Sequence, residues 1–336
     1  MRNRVLSVVL CLVLIIALTG LVYLQSSRVN ILQLEIEQLK AQSAELSDKL
    51  SSAEDQLADA QERLIASYIA PYVSVSSQKA KQGEIIAVHV YMNSEHGEPT
   101  ISTELGDCIF IPLENNSYVS YVPVWYAQDP GKYDIKVNMG AESETISVEV
   151  RAASFGEQHM TMSSATAGST IGADNANEDY NQKIGSTYAI ADSEKYWEDP
   201  FIQPVEGRIS TEFGLYRYTT YTEGGSRTTR HTGIDIAAPQ GTPVPASNSG
   251  RVVFAGEVLI TGNTVVIEHG GGLKTYYFHL SKLFCEAGDK VKQGDLIGEV
   301  GTTGYSTGPH LHFEVKIGDK SLNPWDLFNG TSGLYK

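Results

Sequence analysis

The sequence predicts a mainly β protein that follows a long N-terminal helical segment. Three observations lead there. An uncharged apolar run opens the chain, a heptad-spaced stretch succeeds it, and from about residue 72 the pattern becomes short alternating segments broken by Gly, Pro, Asn and Asp. With 336 residues, 41% of them hydrophobic and 19% charged, the chain has room and composition for more than one packed domain.

Residues 5–24 carry no charge, and about 20 such residues suffice for a helix to cross a bilayer. Arg2 and Arg4 precede the run, so the positive-inside rule keeps the N-terminus in the cytoplasm and places the following domains outside. The run is longer than the apolar core of a secretory signal, and no small-x-small cleavage site follows it. Residues 1–27 are therefore expected to be a cytoplasmic tip and a single-pass membrane anchor.

Leu32, Ile36, Leu39, Ser43, Leu46, Leu50, Ala53, Leu57, Ala60 and Leu64 recur in alternating steps of four and three. That seam predicts a coiled coil over residues 28–70, a stalk able to form a homodimer, and Pro71 ends it. A single amphipathic helix packed on the chain's own domains is the alternative.

Residues 71–151 contain seven short β-rich segments in about 80 residues, the density of an immunoglobulin-like β-sandwich. His89 and His96 read there as solvated surface residues, and the module as a spacer. Residues 152–200 begin rich in Ala, Ser, Thr and Gly, which predicts a linker, then turn weakly helical and acidic after Asn175. Residues 201–336 read as strands joined by Gly-rich turns, the pattern of an antiparallel sheet folded over on itself.

Charge and cysteine narrow the function. Residues 1–200 hold 13 basic and 27 acidic groups, net −14, while residues 201–336 hold 12 and 13, net −1. An acidic chain without a basic stripe is not built for nucleic acid. Cys11, Cys108 and Cys285 fall in three different segments, so neither a disulfide framework nor a cysteine metal site is indicated.

The chemistry concentrates near the C-terminus. In Gly308-Pro-His-Leu-His-Phe-Glu314 the two-residue period of a strand puts His310 and His312 on one face and Leu311 and Phe313 on the other. His231-Thr-Gly-Ile-Asp235 offers a second polar edge, with Gly233 leaving room for an ion, and His279 ends the segment Lys274-Thr-Tyr-Tyr-Phe-His279. A catalytic zinc needs three N or O ligands and an open fourth position, so five candidates are more than enough.

These motifs, in this order, resemble the lysostaphin-type (LytM-like) zinc metallopeptidases that act on peptidoglycan. The likeness covers residues 201–330 and includes Phe213-Gly214, the stretch from Ala237 to Val244, and Asn323-Pro324. It implies zinc ligands His231, Asp235 and His312, catalytic histidines His279 and His310 with their roles undivided, and peptide cross-links of the bacterial wall as substrate. A non-enzymatic scaffold of the same fold is the rival expectation, disfavoured because all five positions are filled. Tyr216, Tyr218 and Tyr221 are available to assist an oxyanion, though none aligns securely. Glu314 is placed to orient a ligand. His159 and His269 read as structural. Gly233, Gly270 to Gly272 and Gly308 are expected to leave room for an extended peptide.

Overall fold

A computed structural model describes residues 2–68, 71–92, 97–162 and 175–335. His96 and residues 163–174 of the expected linker lie outside the described residues. The chain divides into two compact units, Met1–Tyr68 and Ile69–Lys336.

The first unit is one α-helix, Arg2–Tyr68, so the apolar run and the heptad segment continue without a break. Its apolar window averages a hydropathy of 2.3 and is long enough to cross a membrane. Leu32, Ile36, Leu39, Leu46, Leu50 and Leu57 are all exposed on the single chain.

The second unit begins with two four-stranded sheets packed face to face. One runs Tyr72–Val75, Ile85–Tyr91, Ser117–Pro123, Ile111–Pro112; the other runs Lys79–Lys81, Glu142–Arg151, Gly131–Met139, Thr100–Thr103. Ile86, Val88, Val90 and Val122 from the first meet Ile135, Val137, Val148 and Val150 from the second in a shared apolar core. The opposite face of the first sheet is covered over part of its length, where simple alternation would leave it solvated, and Tyr91 at its end stays exposed. Ile85, Ala87, Val119 and Tyr121 join the larger core formed with the C-terminal strands.

That larger core lies beneath an antiparallel sheet ordered Arg208–Thr211, Ile234–Ala237, His310–Ile317, Leu273–Leu280, Gly262–Glu268, Gly250–Val258, Lys290–Val291. Leu311, Phe313, Val315 and Ile317 point into it with Ile234, Ile236 and Tyr277, which is the face the two-residue period predicts. On the other face a small cluster of Ile184, Val258, Val266, Tyr276 and Phe278 is roofed by the helix Ala176–Lys183 and its neighbour Tyr188.

Two expectations change here. Glu157–Met162, in the stretch whose composition suggests a linker, is a strand that pairs in parallel with Tyr216–Tyr221, which in turn pairs with Ser226–Arg230. The Gly270 to Gly272 turn does not face a substrate channel. A Cβ on Gly271 would lie 2.8 Å from Ile111 and one on Gly270 would lie 2.3 Å from the Glu194 carbonyl, so these glycines let the turn dock on the rest of the unit.

Candidate metal centre

Backbone pairing assembles the site. Ile234–Ala237 runs antiparallel to His310–Ile317 with Asp235 opposite His312 and Ala237 opposite His310, while Phe278 lies opposite His312 on its other side. Gly233 has a different reason from the one its position suggests. A Cβ there would meet the Phe313 carbonyl oxygen at 2.2 Å and Glu314 Cγ at 2.8 Å, so the glycine admits the neighbouring strand rather than an ion.

His231, Asp235 and His312 each keep about 8% of their surface exposed and bring one ligand atom apiece within 4.8 Å of the others. His231 Nε2 is 3.1 Å from Asp235 Oδ1 and 3.1 Å from His312 Nδ1, and that Nδ1 is 2.7 Å from the same carboxylate oxygen. Their outer nitrogens are already committed. His231 Nδ1–H donates to the Glu212 carbonyl at 3.0 Å, and His312 Nε2–H donates to Glu314 Oε1 at 2.9 Å.

With those hydrogens spent outward, both inner nitrogens carry lone pairs, and they face each other and a carboxylate. Three electron-pair donors in van der Waals contact repel unless a cation or a proton lies among them. Ligands about 2.0–2.1 Å from a tetrahedral zinc stand roughly 3.3 Å apart. The two separations of 3.1 Å lie close to that edge and the one of 2.7 Å is shorter, so the three residues fit a metal of this kind after a small outward adjustment.

The charge distribution agrees. Burial alone would raise the Asp235 carboxyl, but a proton held on the inner nitrogen of His231 or His312 in the absence of a metal outweighs it and keeps the group well below the usual range. Burial would likewise lower His312, yet Asp235 and Glu314 push it up to about 9, the proton standing where a metal cation would.

Behind His312 lies a buried polar ladder. Glu314 Oε1 also accepts from the Thr232 hydroxyl, and Oε2 pairs with Lys316 Nζ at 2.6 Å. Lys316 is sealed by Tyr188 and Tyr276, whose rings lie 5.5 and 5.0 Å from its nitrogen. Lys316 and Thr232 were not anticipated, although polar residues at 310, 312, 314 and 316 share one strand face and the alternation continues through all four.

His279 reaches the same cleft by a different route. Tyr277 lies opposite Phe313 on the core face and Phe278 opposite His312 on the cleft face, so regular alternation would return His279 to the core. The register instead slips between Asn263 and Val265, and His279 takes φ +63. This bulge in the left-handed region turns its ring outward. Its Nδ1–H donates to the Thr303 carbonyl at 2.8 Å, leaving Nε2 free, and its ring centroid is 4.8 Å from that of His310. Burial, with His312 and His310 beside it, lowers the His279 pKa to about 3. His310 Nδ1–H donates to the Gly308 carbonyl at 2.8 Å, and its Nε2 stands 3.7 Å from Asp235 Oδ1.

All five polar residues border one cleft of about 620 Å³. The sheet built on Tyr216–Tyr221 forms one wall, presenting Gln158, Arg217, Thr219 and Tyr221 to it. Tyr216 and Tyr218 lie at the intervening positions, so of the three tyrosines noted in the sequence Tyr221 is the one that lines the cleft. Tyr305, which the sequence did not single out, lines it as well.

The model of Peptidase family M23 matches residues 229–324, the span that holds all five residues. This part of the chain is an M23 peptidase domain.

The chain is 50% identical over 125 residues to the DD-carboxypeptidase/endopeptidase Mpg of Neisseria meningitidis serogroup B, covering 37% of this chain and 28% of that protein. It is 43% identical over 122 residues to the peptidoglycan DD-endopeptidase ShyA of Vibrio cholerae, covering 36% and 28%. The chain thus spans about 28% of the length of these curated relatives. A solved Pseudomonas aeruginosa structure assigned to peptidase M23 is 22% identical with a TM-score of 0.54, over 74% of this chain and 93% of that one. At that identity the likeness concerns the fold, and 74% of the chain is more than the M23 region alone contains.

Proposed function

We propose that the protein is a membrane-anchored zinc endopeptidase that hydrolyses peptide cross-links of bacterial peptidoglycan. The observation that carries this reading is the convergence of His231 Nε2, His312 Nδ1 and Asp235 Oδ1, with their outer atoms tied to Glu212 and Glu314, in a cleft that also holds His279 and His310. Similarity to relatives named as peptidoglycan DD-endopeptidases supports the substrate class.

His231, Asp235 and His312 would hold the zinc. A bound zinc makes water a usable nucleophile near neutral pH and polarises a peptide carbonyl. The chain's own residues do the rest. Thr303 and Gly308 accept the Nδ1 hydrogens of His279 and His310, so both rings present a bare Nε2 to the cleft. Placed so, the two imidazoles share the work of accepting a proton from the attacking water and steadying the charge that develops on the peptide carbonyl oxygen. The strand wall beside the cleft seats an extended peptide.

The helix Arg2–Tyr68 supplies the anchor and, through its heptad seam, a parallel dimeric stalk on the order of 50 Å long. The two packed sheets act as an immunoglobulin-like spacer between stalk and M23 region. The test is digestion of purified peptidoglycan by the full chain in detergent, with and without a chelator, and mass spectrometry of the released peptides. Zinc-dependent release of un-cross-linked peptides is expected. Intact wall of several chemotypes at full zinc occupancy would replace the enzyme reading with a binding scaffold.

A further inference from the structure

Of the five arginines in residues 201–336, four fall between 208 and 230. Arg230 turns away from the cleft into a cage of Tyr126, Phe155 and Tyr216, with ring centroids 4.6, 4.5 and 4.2 Å from its guanidinium carbon. Arg208, Arg217 and Arg227 line the cleft.

Arg217 and Arg227 belong to neighbouring strands. Arg217 lies opposite Thr229 and Arg227 opposite Thr219, which makes them diagonal neighbours on one sheet face, with backbones about 7–8 Å apart. Arg217 is pre-positioned. Its Nε donates to Gln158 Oε1 at 2.9 Å and its Nη2 to Thr211 Oγ1 at 3.4 Å, and Thr211 is itself in register with Asp235. One guanidinium is therefore tied to the strand that borders the metal trio.

Among the described residues neither Arg217 nor Arg227 stands in an ion pair of the kind that holds Arg151 and Arg251, although the chain has 40 Asp and Glu against 25 Lys and Arg. Two adjacent guanidinium groups repel each other unless an anion bridges them, and the fork geometry of arginine matches a carboxylate. Burial lifts the Tyr305 phenol above its ordinary value and the charges of Arg217 and Arg227 oppose that lift, so both act on the loop that leads into His310.

We propose that Arg217 and Arg227 form a carboxylate-binding subsite beside the metal trio, selecting peptides that carry a free carboxylate close to the scissile bond. This rests on the peptidase reading above and adds to it the chemistry of the accepted peptide. The carboxylate is either that of a side chain next to the bond or that of a nearby chain end.

Binding of synthetic cross-linked peptides to the full chain in detergent, treated with chelator so that no turnover occurs, tests it by titration calorimetry. The probes come in pairs that differ by one carboxylate-to-carboxamide change, in the side chain in one pair and at the terminus in the other. The pair showing the difference identifies the source. Wild type should bind the carboxylate form about tenfold or more tightly than the carboxamide. Arg217→Gln and Arg227→Gln should each remove most of that preference while leaving carboxamide binding unchanged, and Arg227→Lys should restore part of it. Equal binding of both forms by wild type, absence of measurable binding, or equal loss on both forms in the variants would overturn the subsite. Probes that bind with the expected preference but are never cut by zinc-loaded protein would instead overturn the peptidase reading and leave the subsite standing.

Discussion

Glu314→Gln changes one atom in the ladder behind the metal trio, and its effect follows from the hydrogen-bond inventory. Glu314 faces donors on both sides, with the His312 Nε2–H and the Thr232 hydroxyl on Oε1 and the Lys316 ammonium on Oε2. A glutamine has one acceptor oxygen and one amide donor, so one side must face a clash. Opposing the ammonium is the worse choice, because Lys316 is buried and a charged hydrogen bond is worth about 1.5–3 kcal/mol. The amide NH2 should therefore turn to His312. That ring then keeps its hydrogen on Nδ1, the atom that faces Asp235, and loses the lone pair a metal needs. Zinc affinity should fall about 10- to 100-fold, the range seen when outer partners of a ligating histidine are altered. Competition against a chromophoric chelator measures it, with circular dichroism as the check on fold. In Glu314→Gln/Lys316→Met the ammonium is gone, the amide is free to turn its oxygen to His312, and affinity should recover towards wild type. Affinity within about threefold of wild type in the single variant, or no recovery in the double, would refute the tautomer argument.

Other outcomes follow from the same geometry. His231→Ala, Asp235→Ala and His312→Ala should lose zinc, whereas His279→Ala and His310→Ala should keep it and be inactive; metal analysis of the five variants decides, and full zinc in His312→Ala contradicts the assignment. Because His279 sits at φ +63, His279→Gly should be more stable than His279→Ala by about 1 kcal/mol in urea unfolding, the reverse of the usual order in a strand. His269 is fully buried, donating to the Ser249 carbonyl at 2.7 Å and lying 2.8 Å from the Thr275 hydroxyl, and burial lowers its pKa to about 4. Its unfolded form takes up a proton near pH 6.5 that the folded form refuses until about pH 4, so stability is complete above that window and falls as pH drops through it. The loss is roughly 2 kcal/mol between pH 7.5 and 5, and His269→Asn should flatten this limb relative to wild type in urea titrations at the two pH values. Leu46→Lys with Leu50→Lys should dissociate the stalk, which sedimentation of the full chain in detergent reports; an unchanged mass would remove the coiled-coil dimer.

Periodicity by itself determined a good deal. The strand period put His310, His312 and Glu314 on one face and Leu311 and Phe313 in the core, because neighbouring side chains on an extended backbone must point oppositely. The uncharged run at residues 5–24 determined a helix able to span a bilayer, since composition and length set that property without any partner. Local pattern does not say what covers a face, nor where one extra residue reverses it. The joining of His231 to His312, 81 positions apart, was decided by the pairing of Ile234–Ala237 with His310–Ile317 and by the missing Cβ of Gly233. The bulge at His279 was decided by register with a distant strand, and it moved that ring from the core face to the cleft. Burial of both Ile85 and Ala87, on the face opposite Ile86 and Val88, depended on an apolar surface supplied from 100 and more residues further on. The cleft wall with Arg217, Arg227 and Tyr221 formed when Glu157–Met162, unremarkable in composition, added itself in parallel to Tyr216–Tyr221. Long-range pairing is encoded in shape complementarity between segments, and a reading confined to neighbours along the chain does not contain it.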